Sequence, residues 1–155
     1  MNLQKAQELA LDLMQEHQLN KWVFQFDRAK VRFGYCNYRD KIISLSKHLV
    51  ELNSKALVKD TILHEVAHAL VGKRHNHGKV WKEKAFEIGC SATRCYSEKD
   101  VVIPLKKYTA SCGSCKRVFQ AARKRKAACG ICCKRYNNNK FSKEFLISFT
   151  LNEFS

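Results

Sequence analysis

Apolar positions recur along the first third of the chain with two different periods. Leu3, Ala6, Leu9, Ala10, Leu13 and Met14 fall at helical spacing, so residues 3–18 are predicted as an amphipathic helix. Residues 22–27 alternate apolar and polar and predict a strand. Residues 31–35 and 42–45 predict two more, joined by a turn over 37–41. The longest helical pattern covers 55–71, with Asn53 or Ser54 available as N-cap and Gly72 as the C-terminal stop. A further helix is expected over 79–88, ending at Gly89. Beyond Pro104, the only proline, the text turns short, basic and punctuated by cysteines. The pattern predicts an α+β domain over 1–105 followed by a metal-stapled module over 106–155.

A chain of 155 residues with 45% apolar positions can bury a core and is not disordered. No apolar run is long enough to span a bilayer, and the amino-terminal pattern carries acids and glutamines unlike a signal peptide. An intracellular protein, cytoplasmic or nucleoid-associated, without membrane contact and monomeric, is expected.

Charge narrows the classes. The chain holds 29 bases against 14 acids, a net +15. Residues 1–105 carry a net +5, and the last 50 residues carry +10 with only Glu144 and Glu153 as acids. Such a balance predicts a polyanionic partner, most often nucleic acid. Eight cysteines in an intracellular chain are read as metal ligands or buried thiols before disulfides.

The sharpest chemical signal is His64-Glu65-Val66-Ala67-His68, inside the longest predicted helix. Positions i and i+4 share a helix face, so both imidazoles can reach one ion. Zinc held by nitrogens lowers the pKa of a coordinated water to about 7, and Glu65 is placed to act as general base and then acid. A third ligand is needed downstream. His77 is the leading candidate, with His75, Glu83 and Glu87 as alternatives. The longer HExxHxxGxxH spacing fails, because Val71 and Arg74 occupy its glycine and last histidine positions.

Cys112-Gly113-Ser114-Cys115 and Cys129-Gly130-Ile131-Cys132 form two CxxC knuckles 13 residues apart. Two such knuckles close a tetrahedral four-cysteine site, and structural zinc contributes folding energy that a small module needs. Cys133 competes with Cys132 for the fourth corner. Lys116, Arg117, Arg123, Lys124, Arg125, Lys126, Lys134 and Arg135 surround the knuckles. Their expected role is sequence-independent contact with the phosphates of single- or double-stranded DNA, with Phe119 and Tyr136 available either to stack on bases or to cover the zinc site. Cys36, Cys90 and Cys95 read as structural thiols, and His17 and His48 as ordinary helix residues. Trp81 and Phe86 read as packing against the histidine helix. Tyr35, Tyr96 and Tyr108 are candidate hydrogen-bond donors to a transition state, with nothing to choose among them.

The run HEVAHALVGKRHNHGKVWK, with its HExxH, a loop and then His77-Gly78-Lys79-Val80-Trp81, resembles the SprT-like metalloprotease family. The upstream segments WVFQFDRAKVRFGYC, IISLS and DTILHE also resemble that family, so the likeness extends over about residues 20–150. In size the chain is similar to compact bacterial or phage members. The resemblance implies a zincin-like fold, zinc ligands at His64, His68 and His77, and Glu65 as the catalytic acid/base. SprT-like proteins commonly carry a C-terminal zinc ribbon, so the resemblance implies two zinc ions, one catalytic and one structural. A eukaryotic member cleaves proteins crosslinked to DNA, which makes DNA-bound proteins a candidate substrate class. The alternative is a non-catalytic nucleic-acid-binding zinc protein.

Overall fold

A computed structural model describes residues 1–93 and 101–152. The chain divides into two compact units, Met1–Pro104 and Leu105–Ser155.

In the first unit, α1 (Leu3–Glu16) starts where the Asn2 side chain accepts the Gln4 N–H at 2.7 Å. It buries Ala6, Ala10, Leu13 and Met14, the face its periodicity predicts. Strands β1 (Val23–Asp27), β2 (Gly34–Asn37) and β3 (Ile42–Ser46) form one sheet in the order β1-β3-β2. β3 runs parallel to β1 and antiparallel to β2, with Gly34 opposite Leu45 and Cys36 opposite Ile43. β2 is therefore an edge strand. It begins three residues later than its hydrophobic pattern predicts. Asp27 ends β1 by accepting the Ala29 N–H at 2.9 Å and the Arg32 guanidinium at 2.8 Å, which pins residues 28–33 as a loop.

A short helix, α2 (Lys47–Leu52), surrounds His48, which the sequence places in a helix, but six residues are too few for periodicity to show its bounds. The Ser46 hydroxyl caps it by accepting the Leu49 N–H at 3.2 Å. Helix α3 (Lys55–Val71) starts at Ser54, whose hydroxyl accepts the Leu57 N–H, and ends at Gly72 with φ 81°. That left-handed value favours glycine and turns the chain sharply. Helix α4 (Lys79–Glu87) packs on α3, and α3 also packs on α1, β2 and β3. The core centres on Ile43, Leu45, Leu49, Val58, Ile62, Val66 and Trp81, all essentially inaccessible.

In the second unit, β4 (Tyr108–Cys112) lies between β5 (Val118–Ala121) and β6 (Ile147–Leu151), antiparallel to both. One helix, α5 (Gly130–Tyr136), begins inside the second knuckle, with Cys129 as its N-cap. Its buried cluster consists of Cys112, Cys129, Cys132, Cys133 and Phe145, and Ala110 of β4 is buried as well. Four of these six residues are cysteines, so apolar burial is small, and a metal held by the thiols would add folding energy. No helix among the described residues is long and apolar enough to cross a membrane.

Candidate metal centre and cleft

Helix α3 carries His64, Glu65 and His68, all buried. One helical turn sets the two histidines on the same face, with ring centroids 4.9 Å apart. Gly72 then ends the helix, a single 3₁₀ turn (Lys73–His75) follows, and Asn76 at φ 39° redirects the chain so that His77 returns over the helix. His77 Nε2 lies 3.1 Å from Nε2 of both His64 and His68. Two nitrogens about 2.0–2.1 Å from a tetrahedral ion would lie about 3.3 Å apart, so the three rings fit one zinc ion. Three converging ring nitrogens cannot all be satisfied by protons between them, and a shared cation resolves the arrangement.

Burial, then the His77 ring, lowers His64 to about 4. Burial, then His64 and His77, lowers His68 to about 3. Both are thus neutral at physiological pH, the form that ligates metal. Trp81 from α4 forms the floor. Its ring centroid lies 4.6 Å from His64, 5.0 Å from His68 and 4.7 Å from His77. The rival ligands point elsewhere. His75 is exposed, and Glu83 and Glu87 are largely exposed in ion pairs with Lys79 and Lys84.

Glu65 stands beside the triad on the wall formed by β2. Burial pushes its carboxyl up to about 8, against the opposing pull of Arg32. A cation held by the triad would add to the pull of Arg32 and favour the carboxylate, the form that can take a proton from water. Arg32 is itself held by Asp27. Burial opposes ionisation of Asp27, but the Ala29 N–H, the Ser44 hydroxyl and Arg32 outweigh it and hold the carboxyl below its usual value.

The triad and Glu65 open into a cleft of about 590 Å³. Its walls come from the β1–β2 loop and β2 on one side and from Val101 and Ile103 on another. Of the three tyrosines singled out in the sequence, Tyr35 lines this cleft, Tyr108 begins β4 in the second unit, and Tyr96 lies outside the described residues, as does Cys95. Sequence reasoning missed Arg32, Gly34 and Tyr38, which also line it. Tyr38 sits in the β2–β3 turn, where no motif marks it. Burial, then the neighbouring Cys36 and Glu65, pushes its phenol up to about 12. Cys36 lines the cleft too, as a buried thiol raised to about 12 by burial and then by Glu65. Cys90 packs into the core with its thiol on the Asp60 carbonyl at 3.7 Å.

In the second unit the sulfurs of Cys112, Cys115, Cys129 and Cys132 converge within 4.8 Å of one another. The pairs Cys112–Cys132 and Cys115–Cys129 stand 3.8 and 3.7 Å apart. Sulfurs about 2.3 Å from a tetrahedral ion would be about 3.8 Å apart, so this set also fits zinc. Backbone N–H groups of Cys115 and Ser114 draw the Cys112 thiol down to about 7, and that of Cys132 lowers Cys129. Cys133, buried next to Cys132 on α5, is not one of the four converging sulfurs. Adjacent helix positions diverge by about 100°, so only one of the two can reach the ion.

The eight basic candidates, Lys116, Arg117, Arg123 to Lys126, Lys134 and Arg135, are all exposed. Arg117 lies over the Phe119 ring at 5.7 Å, and Lys124 over Tyr108 at 5.4 Å. A shallow groove lined by Phe119, Ile147 and Phe149 is flanked by Arg123 and Arg125.

A helix-borne HExxH with a third histidine from the following loop, set beside a three-stranded sheet, is consistent with a metalloprotease site. The model of the SprT-like family matches residues 3–101, and the chain belongs to that family. The match ends before the four-cysteine unit. Comparison with curated proteins gave no match.

Proposed function

We propose that this protein is a zinc metalloendopeptidase that acts on proteins bound or crosslinked to DNA. The convergence of three imidazole nitrogens next to the buried Glu65 carboxyl carries the hydrolytic part of this reading. Zinc in the triad would polarise the scissile carbonyl and make hydroxide available near neutral pH. His64, His68 and His77 hold the ion, and Trp81 keeps their rings in place. Glu65 takes a proton from the attacking water and returns it to the leaving amine nitrogen. β2 has one edge unpaired by any described strand, so an extended substrate can add to it by backbone hydrogen bonds. Backbone pairing selects little by sequence, so selection falls to location.

Location is the role assigned to the second unit, the zinc ribbon. Four thiolates and one zinc ion together carry −2, which leaves the +10 of this segment near +8. The exposed bases contact phosphates, and Phe119 with Tyr136 supplies aromatic surface beside them. Supporting this role, none of the eight bases forms an ion pair among the described residues.

The decisive experiment incubates the zinc-loaded protein with a DNA-binding protein, with and without single- or double-stranded DNA, beside Glu65→Gln. Cleavage that requires both Glu65 and DNA is expected. Cleavage indifferent to DNA would leave a general protease. No cleavage with both zinc ions bound would favour a non-catalytic nucleic-acid-binding protein. Neutralising Arg123 to Lys126 should weaken DNA binding and flatten its salt dependence, by about 0.9 in log–log slope for each phosphate the protein no longer neutralises.

A further inference from the structure

We propose that Gly34 is a positioning residue for Glu65, its bare backbone forming the seat against which the carboxylate rests. The proposal builds on the metalloprotease reading and adds a residue that no motif marks.

Gly34 opens β2 where α3 packs against that strand. A Cβ placed there would stand 2.8 Å from Glu65 Cγ and 2.9 Å from Cδ, and would overlap Oε1, whereas ordinary contact begins near 3.4 Å. Backbone conformation does not require glycine here, since only Gly72 and Gly89 have positive φ. Glycine within a strand also costs stability relative to a residue with a side chain. What the position gains is space, and Glu65 fills it. Gly34 is alone in this respect. Gly72, Gly89, Gly113 and Gly130 have nothing within 4 Å, and Gly78 meets only the His75 carbonyl.

The Glu65 carboxylate accepts no hydrogen bond from any described residue. Its buried position is therefore set by packing, and β2 at Gly34 is the surface it packs on. Adding one methyl group would push the carboxylate back by about 1 Å, a displacement of the size that costs about 100-fold in rate. The nearest atoms that such a Cβ would meet all belong to Glu65, and none to the three histidines.

The test is a double-mutant cycle of Gly34→Ala and Glu65→Ala, read in two ways on the zinc-loaded full chain. For cleavage of a DNA-binding protein in the presence of DNA, Gly34→Ala should lower kcat about 100-fold. KM should change less than about threefold, and zinc content should be unchanged. In thermal unfolding, Gly34→Ala should lower the Tm when Glu65 is present. It should be neutral or raise the Tm in the Glu65→Ala background, where the space is free. An undiminished kcat, or the same Tm loss in both backgrounds, would overturn the proposal. If the wild-type protein cleaves nothing, the protease reading fails, and the Tm cycle still decides whether Gly34 seats the Glu65 side chain.

Discussion

Trp81 offers the strongest single test of how the histidine triad is held. It is fully buried, and its ring meets all three imidazoles at centroid distances of 4.6–5.0 Å. Trp81→Ala removes the floor beneath the site. Emptying a fully buried tryptophan costs about 3–5 kcal/mol. In a unit of this size each kcal/mol lowers the Tm by about 4–8 °C, so the variant should melt at least about 12 °C early. Trp81→Phe separates packing from mere size. It keeps a ring against the histidines and removes the indole N–H, which is buried without a hydrogen-bond partner. An orphaned buried N–H costs about 1–3 kcal/mol, and its removal offsets part of the lost volume, so the net loss should stay below about 2 kcal/mol. Urea unfolding with and without a chelator gives the stabilities, and competition with a chromophoric chelator gives zinc affinity. Groups that orient metal ligands typically contribute 10–100-fold to affinity, so Trp81→Ala should weaken zinc binding by at least about tenfold, and Trp81→Phe by less. Wild-type zinc affinity in Trp81→Ala would refute the idea that this ring organises the triad.

Other outcomes follow from the same geometry. The wild-type chain should bind two zinc ions. Cys132→Ala should lose the ribbon ion and Cys133→Ala should keep it, as metal analysis after gel filtration would show. His77→Ala should leave α3 folded but abolish tight zinc binding at the triad, whereas His75→Ala should bind normally in the same titration. In the metal-free protein the Glu65 carboxyl, raised from 4.5 to about 8, favours folding below pH 4.5, and its contribution falls as pH rises to about 8. The stability advantage of Glu65→Gln over wild type should therefore grow across that range and level off above it. His64 and His68, lowered from 6.5 to about 4 and 3, act in the opposite direction. Their contribution is complete above pH 6.5 and is lost as pH falls through about 4 and 3. Urea unfolding against pH in the presence of chelator measures both effects.

Much of this was legible in the chain because its signals are local. The HExxH spacing, the Ser54 cap and the Gly72 stop all act within one helix, and α3 spans the residues that its pattern predicts. The knuckles likewise carry their geometry in their spacing. What escaped depends on contacts between distant segments. The loop at 28–33 is created by Asp27 capturing Ala29 and Arg32, which outweighs the apolar pattern of Val31 and Phe33. Helix α2 exists because Ser46 caps it and because Leu49 and Val50 are buried, not because six residues prefer a helix. Tyr38, Arg32 and Gly34 become parts of the cleft only once β2 lies against α3. The choice of Cys132 over Cys133 required the rotation of α5.

Each candidate centre has one ligand less buried than the rest: Cys115 beside three buried cysteines, and His77 beside two buried histidines. Both come from the connecting chain and not from the body of a helix. Metal should thus leave and enter by a hinged corner, the outer ligand swinging away while the inner ones keep their places. Affinity and exchange rate are then set by different residues. A small competing thiol or chelator could strip either ion stepwise without first unfolding its unit.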